Sequence, residues 1–189
     1  GAAGPVYVMN QSNKIFKYAT GWSEALMRPG AVFTGLTVVG GQPLVVGGEN
    51  GGSVYRFDGS AWQTDVSGAP ATFFGIAGTS SADLWAVGDG GMIWSSAGAA
   101  WQPTAAGENR AVRGVFAFDA NAVWAVGDNG IGLYYDGTST RSVGSGDSNR
   151  LNAVWAADRN NAWAVGGNGR ILRWAGTTWQ AVTSPTSNE

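Results

Sequence analysis

Three stretches decide how this chain folds: LWAVGDGGMI at residues 84–93, VWAVGDNGIG at 123–132 and AWAVGGNGRI at 162–171. Laid over one another, they set Trp85, Trp124 and Trp163 in register, 39 residues apart each time. A similar step backward reaches Leu44 in PLVVGGENGG and Tyr7 in VYVMNQSNKI. Three further columns keep the period: Tyr18, Phe57, Ser96, Tyr135 and Trp174; Trp22, Trp62, Trp101, Thr140 and Trp179; and the small residues Gly35, Gly75, Gly114 and Ala153. A fixed period of this length marks a repeat architecture, in which no unit buries its own faces and each shields its neighbour.

Within one period the local signals are those of short strands. In residues 111–143, AVRGVFAF is a β-branched and aromatic run, and Asp119-Ala120-Asn121 supplies a turn. AVWAVGD is a second run, followed by Asn129-Gly130, two residues that tolerate the left-handed region a tight hairpin needs. GLYY, the Asp136-Gly137 turn and STRSV complete four antiparallel strands, with no helical periodicity. Four strands in about 40 residues make one blade of a β-propeller. The chain therefore reads as all-β, a single propeller domain over 1–189 with repeats at about 5–28, 29–68, 69–107, 108–147 and 148–186. The Trp85, Trp124, Trp163, Tyr135 and Trp174 positions are expected between adjacent blades, and the small column on the innermost strand where blades converge. Repeat 1 opens on its second strand. Three arrangements fit: a five-bladed ring with one incomplete blade, a fragment of a larger propeller, or closure through another chain. The first is preferred, because a fragment would leave apolar sheet faces exposed.

Composition removes whole classes of chemistry. The 189 residues contain no Cys and no His, so there is no disulfide framework, no thiolate nucleophile, no imidazole base and no ordinary zinc site. Net charge is −2 without a basic tract, which argues against binding nucleic acid through its phosphates. No run approaches the roughly 18 apolar residues of a membrane span. Only two Lys among abundant Ser, Thr, Asn and Gly fit an extracellular or cell-surface protein whose signal peptide is not in this sequence. The thirteen Asp and Glu residues fall nearly all in turns, away from the apolar surroundings that raise a carboxyl pKa for acid catalysis. No enzyme activity, metal or other cofactor is expected.

VYVMNQSNKIFKY with the GW that follows it, and AWAVGGNGRILRWAGTTW, resemble tectonin-type propeller repeats and the bacterial repeats written VWAVGxxGxIxxYDGxxW. A more distant likeness is to the Asp-box repeats of sialidase-like propellers, S-x-D-x-G-x-T-W. Here FDGSAW and YDGTST place Asp58 and Asp136 directly before Gly, and Ala19, Ala97 and Ala175 stand there in the other repeats. The resemblance implies a lectin-like or surface-binding propeller, with carbohydrate or a surface protein as partner.

Candidate binding residues follow from the topology. Connections from an outer strand to the next inner strand, and from second to third strands, share one face of a propeller. The first kind holds Arg28, Glu108, Asn109, Arg110, Asp147, Asn149 and Arg150; the second holds Glu49, Asn50, Asp89, Asp128, Asn129 and Asn168. Asn109, Arg110, Asn149, Arg150, Asp89, Asp128, Asn129 and Asn168 form the candidate ligand site: polar groups for hydroxyls or carboxylates, arranged around the axis. The competing reading is structural, with the Asp and Asn residues satisfying hairpin turns and the arginines pairing with them. Lys17, Arg56, Ser95, Tyr134 and Arg173 read as a solvated column at the rim. Gln63, Gln102 and Gln180 read as polar edge positions. The incomplete first repeat also leaves room for self-association or for a partner strand that completes it. The function expected is a non-catalytic binding module, or alternatively an interaction subunit of a surface assembly.

Overall fold

The structure is a computed structural model that describes residues 4–10, 13–48, 51–97, 100–104, 107–146 and 148–185. They form five antiparallel sheets in chain order. Blade one has three strands: β1 (Val6–Met9), β2 (Lys14–Tyr18) and β3 (Trp22–Met27). Blade two has β4 (Val32–Val39), β5 (Gln42–Gly48), β6 (Gly52–Phe57) and β7 (Trp62–Ala69). Blade three has β8 (Phe73–Ser80), β9 (Asp83–Gly88), β10 (Ile93–Ser96) and β11 (Trp101–Pro103). Blade four has β12 (Val112–Asp119), β13 (Ala122–Gly127), β14 (Gly132–Tyr135) and β15 (Thr140–Ser142). Blade five has β16 (Leu151–Asp158), β17 (Asn161–Gly166), β18 (Ile171–Trp174) and β19 (Trp179–Val182).

The innermost strands β4, β8, β12 and β16 pack side by side, which the small column makes possible. A Cβ on Gly35 would lie 3.2 Å from the Cα of Gly75, and one on Gly114 would lie 3.0 Å from the Cα of Ala153. Carbon atoms rest at about 3.5–4.0 Å, so only glycine lets these backbones come so near.

Each seam joins an outgoing face to an incoming face. Trp124, Val126 and Tyr134 leave blade four and meet Leu151, Ala164, Leu172 and Trp174 of blade five. Tyr134 stacks on Trp174 across that seam, with ring centroids 5.7 Å apart. One seam earlier, Trp85 meets Tyr135 at 4.7 Å. Trp124 and Trp174 are fully buried; at about 150–250 Å² each, their burial contributes at most roughly 4–6 kcal/mol apiece.

Two sequence expectations need correction. The column Lys17, Arg56, Ser95, Tyr134 and Arg173 is solvated only in part, because it lies on the outgoing face: Arg173 is exposed, Lys17, Arg56 and Ser95 are half-buried, and Tyr134 is buried. Lys17 borders a seam pocket with Phe57 and Trp62, Tyr134 is buried, and Arg56 grips Asp65 through both carboxylate oxygens at 2.8 and 3.0 Å. The column stands directly beside the tryptophan column on the neighbouring strand, so it shares that column's face: Trp124 pairs with Tyr134 and Trp163 with Arg173.

The second correction concerns the ends of the arc. Five blades were preferred on the ground that they avoid bare apolar faces, yet both end faces carry them. On blade five, Trp155 is 55% and Val165 46% exposed, whereas Val87 and Val126, the counterparts of Val165, are wholly buried. Trp163, expected at a seam, stands on this same uncovered face with Arg173 5.8 Å over its ring. On blade one, Val8 is 44% and Trp22 60% exposed. Gln63, Gln102 and Gln180 are exposed edge residues as expected.

Candidate functional site

Every complete blade breaks its ladder at the same place. The pairing of inner and second strands skips one residue between Phe33 and Gly35, Phe73 and Gly75, Val112 and Gly114, and Leu151 and Ala153. Such a bulge puts two residues opposite one and re-aims the extra side chain. The bulged residues are Thr34, Phe74, Arg113 and Asn152. Together with Met9, Val32 and Phe33 they line an open axial cavity of about 530 Å³.

The groups in this cavity are chemically mixed. The Thr34 hydroxyl lies 2.6 Å from the carbonyl of Phe73, tying blade two to blade three. The Arg113 guanidinium lies over the Phe74 ring at 5.4 Å, and its Nη2 donates to Asp128 at 2.9 Å while Nε donates to the other carboxylate oxygen. Those hydrogen bonds hold the Asp128 carboxyl below its usual range, with the charges of Arg113 and Arg150 adding to the effect.

Around the cavity, the second-to-third-strand turns are laced to the connections between blades. Asp89 N–H donates to the Thr72 carbonyl at 3.0 Å, Asp128 N–H to Ala111 at 2.9 Å, Gly130 N–H to Asn149 at 2.7 Å and Gly167 N–H to Arg150 at 2.9 Å. Asn129 and Asn168 take left-handed φ values of 52° and 57°, which Asn adopts more readily than most side chains. Arg110 binds Glu108 through two donors at 3.0 and 2.8 Å and gives a third to the Asn129 carbonyl at 3.2 Å. Asn168 donates to the Asn149 side chain at 3.0 Å, and Asp89 accepts from Gly90 N–H at 2.9 Å.

The eight candidate residues therefore stand in the connections of one loop face. The structure links Arg110 with Asn129, Asn149 with Asn168, and Asp128 with Arg113; many of these contacts are the turn-satisfying ones weighed above. Glu49, Asn50 and Asp147 lie outside the described residues. The residues that sequence reasoning missed are the four at the axis. Their signal was positional: each immediately precedes a member of the small column.

Two further carboxylates serve turns. Asp58 accepts from the N–H groups of Ala61 and Ser60 and from Gln63, and Asp136 accepts from those of Ser139 and Thr138. Both are held below the usual carboxylate range by these bonds. Among the described residues, no three acidic side chains converge as a metal site would require, and no helix is long and apolar enough to cross a membrane.

No protein-family model matches the chain, and no curated protein matches it in sequence. Solved structures do. YCF48 bound to a D1 peptide superposes with a TM-score of 0.70 at 12% identity, over 96% of this chain and 64% of that one. YCF48 from Cyanidioschyzon merolae gives 0.66 at 16% identity, over 95% and 70%. U3-55K gives 0.77 at 11% identity, over 94% and 59%. The chain thus spans about two thirds of the length of these propellers. Likeness at such low identity establishes architecture alone: this is a β-propeller repeat protein.

Proposed function

We propose that the chain is a non-catalytic binding module that takes an extended segment of a partner protein at the mouth of its axial cavity. One observation carries this reading: four bulges deliver a hydroxyl, an aromatic ring, a guanidinium and an amide into a single cavity. These are the groups that recognise peptide backbone and mixed side chains. The Arg113–Asp128 pair offers an exchange, in which a carboxylate of the ligand replaces Asp128 on the guanidinium fork. That YCF48 is bound to a D1 peptide supports the reading by analogy of fold. A carbohydrate ligand is the alternative. A sugar ring stacks on an open aromatic face, and the Phe74 ring is already covered by Arg113, so the peptide is preferred.

The non-catalytic part of the proposal is supported by Asp58, Asp128 and Asp136, all held in the ionised form rather than raised toward the range of a general acid. Extracytoplasmic placement is proposed from the lysine-poor composition, and the partner would then be a surface or exported protein.

Selection from a random peptide library, run beside a glycan array, tests the reading. We expect peptides of convergent sequence whose affinity falls at least tenfold with Arg113→Gln and with Phe74→Ala. Failure to enrich a sequence, or binders indifferent to both substitutions, would refute it; glycan binding sensitive to them would establish the carbohydrate alternative instead.

A further inference from the structure

The seam between blades one and two encloses a pocket of about 130 Å³ between β1–β3 and β6–β7. Tyr7, Lys17 and Ser23 stand side by side across blade one, because Tyr7 pairs with Lys17 and Lys17 with Ser23. Phe57 and Trp62 face them from blade two, their rings 5.6 Å apart. The Trp62 indole N–H donates to the Ala25 carbonyl at 2.8 Å, which fixes that ring across the seam. Glu24, at the border of the pocket, is paired with Lys14 at 2.8 Å. The pocket shares no residue with the axial cavity.

The seam between blades four and five shows how the protein itself fills this place. Trp124, Tyr134 and Arg141 occupy there the positions of Tyr7, Lys17 and Ser23, and Trp174 and Trp179 those of Phe57 and Trp62. Tyr134 stacks on Trp174, and the Arg141 guanidinium lies over the two rings at 5.1 and 5.8 Å. In the first seam a lysine stands for the tyrosine and a serine for the arginine, so no side chain closes the gap between the aromatic walls. The space is close to the roughly 150 Å³ that takes benzene.

Lys17 gives the pocket its sign. Of the cations in its column, Arg56 is held by Asp65 and Arg173 lies over the Trp163 ring. Lys17 is half-buried, and no carboxylate pairs with it among the described residues. A charge drawn partly out of water is stabilised by a partner of opposite sign, and aromatic walls favour a flat apolar body. We propose that this pocket binds a small aromatic carboxylate, with its ring against Tyr7, Phe57 and Trp62 and its charge on the Lys17 ammonium.

Benzoate is the probe, titrated into the whole chain and followed by proton–nitrogen NMR at the tryptophan indole signals, with that of Trp62 assigned through Trp62→Phe. We expect one saturable site with Kd below about 1 mM and a shift of the Trp62 signal. Lys17→Met keeps the length of the side chain and should weaken binding at least tenfold. Benzyl alcohol, a neutral counterpart, should bind the unaltered chain at least tenfold more weakly, a comparison that holds even where the variant misfolds. Arg113→Gln should leave benzoate binding unchanged, and Lys17→Met should leave peptide binding at the axial cavity unchanged, so either site can fail while the other stands. A Kd above about 1 mM, equal binding of the alcohol, or binding lost with Arg113→Gln and kept with Lys17→Met would overturn the proposal.

Discussion

Substituting Gly114 by alanine tests whether the blades converge where the small column lies. Gly114 does not occupy the left-handed region, so alanine meets only a steric obstacle. The new methyl group would stand 3.0 Å from the Ala153 Cα, 3.0 Å from the Asn152 oxygen and 3.4 Å from a Val126 methyl. The first two atoms are backbone of the next blade, which must retreat by about 0.5 Å or more to restore ordinary contact. Overpacking of this kind costs about 1–3 kcal/mol. Loss of unfolded-state freedom offsets about 0.4–1 kcal/mol. The balance is a destabilisation of about 0.5–2 kcal/mol, and for a chain of this size each kcal/mol lowers Tm by about 2–4 °C. Ala153 supplies the control: it is exposed on the face that no blade covers, so Ala153→Val should stay within about 0.5 kcal/mol. Urea unfolding followed by tryptophan fluorescence, compared at equal slope, measures both. A Gly114→Ala protein as stable as the parent, or an Ala153→Val protein harmed more, would refute the convergence argument.

The same contrast extends to the valine column. Val126→Ala removes wholly buried methyl groups and should cost about 1.5–2.5 kcal/mol, whereas Val165→Ala on the uncovered face should change the urea midpoint by less than a quarter as much. Stability should also depend on pH in one direction only. Asp58, Asp128 and Asp136 have folded-state pKa values below the unfolded value of about 3.9, so their contribution is complete above that value and is lost as pH falls through their folded values. With no His in the chain, the urea midpoint should be level between about pH 5 and 8 and fall below about pH 4, less steeply in Asp136→Asn; a transition centred near pH 6 would contradict this.

What the sequence made legible depended on chemistry recurring at one spacing. The tryptophan and glycine columns repeat in kind, and they located the blades, the seams and the convergence at the axis. Asn129 and Asn168 were readable as turn residues because left-handed backbone favours few side chains. Thr34, Phe74, Arg113 and Asn152 share no chemistry, so no column of like residues marked them, and the bulge that aims them depends on strand register, which local patterns leave open. The column from Lys17 to Arg173 was legible only in part for a related reason. Its cationic members suggest solvent, but strand register fixes its face, which is a seam wherever a blade follows and leaves only Arg173, on blade five, exposed.

The uniformity of the seams has a consequence for how such a chain changes length. Every join brings the same kind of outgoing face to the same kind of incoming face, so the fold is indifferent to which unit follows which. Excising or duplicating one 39-residue unit within the run of complete blades would reunite matching surfaces and leave no mismatched junction. Growth and shrinkage by whole units thus keep every intermediate foldable, while a change of ten or twenty residues does not.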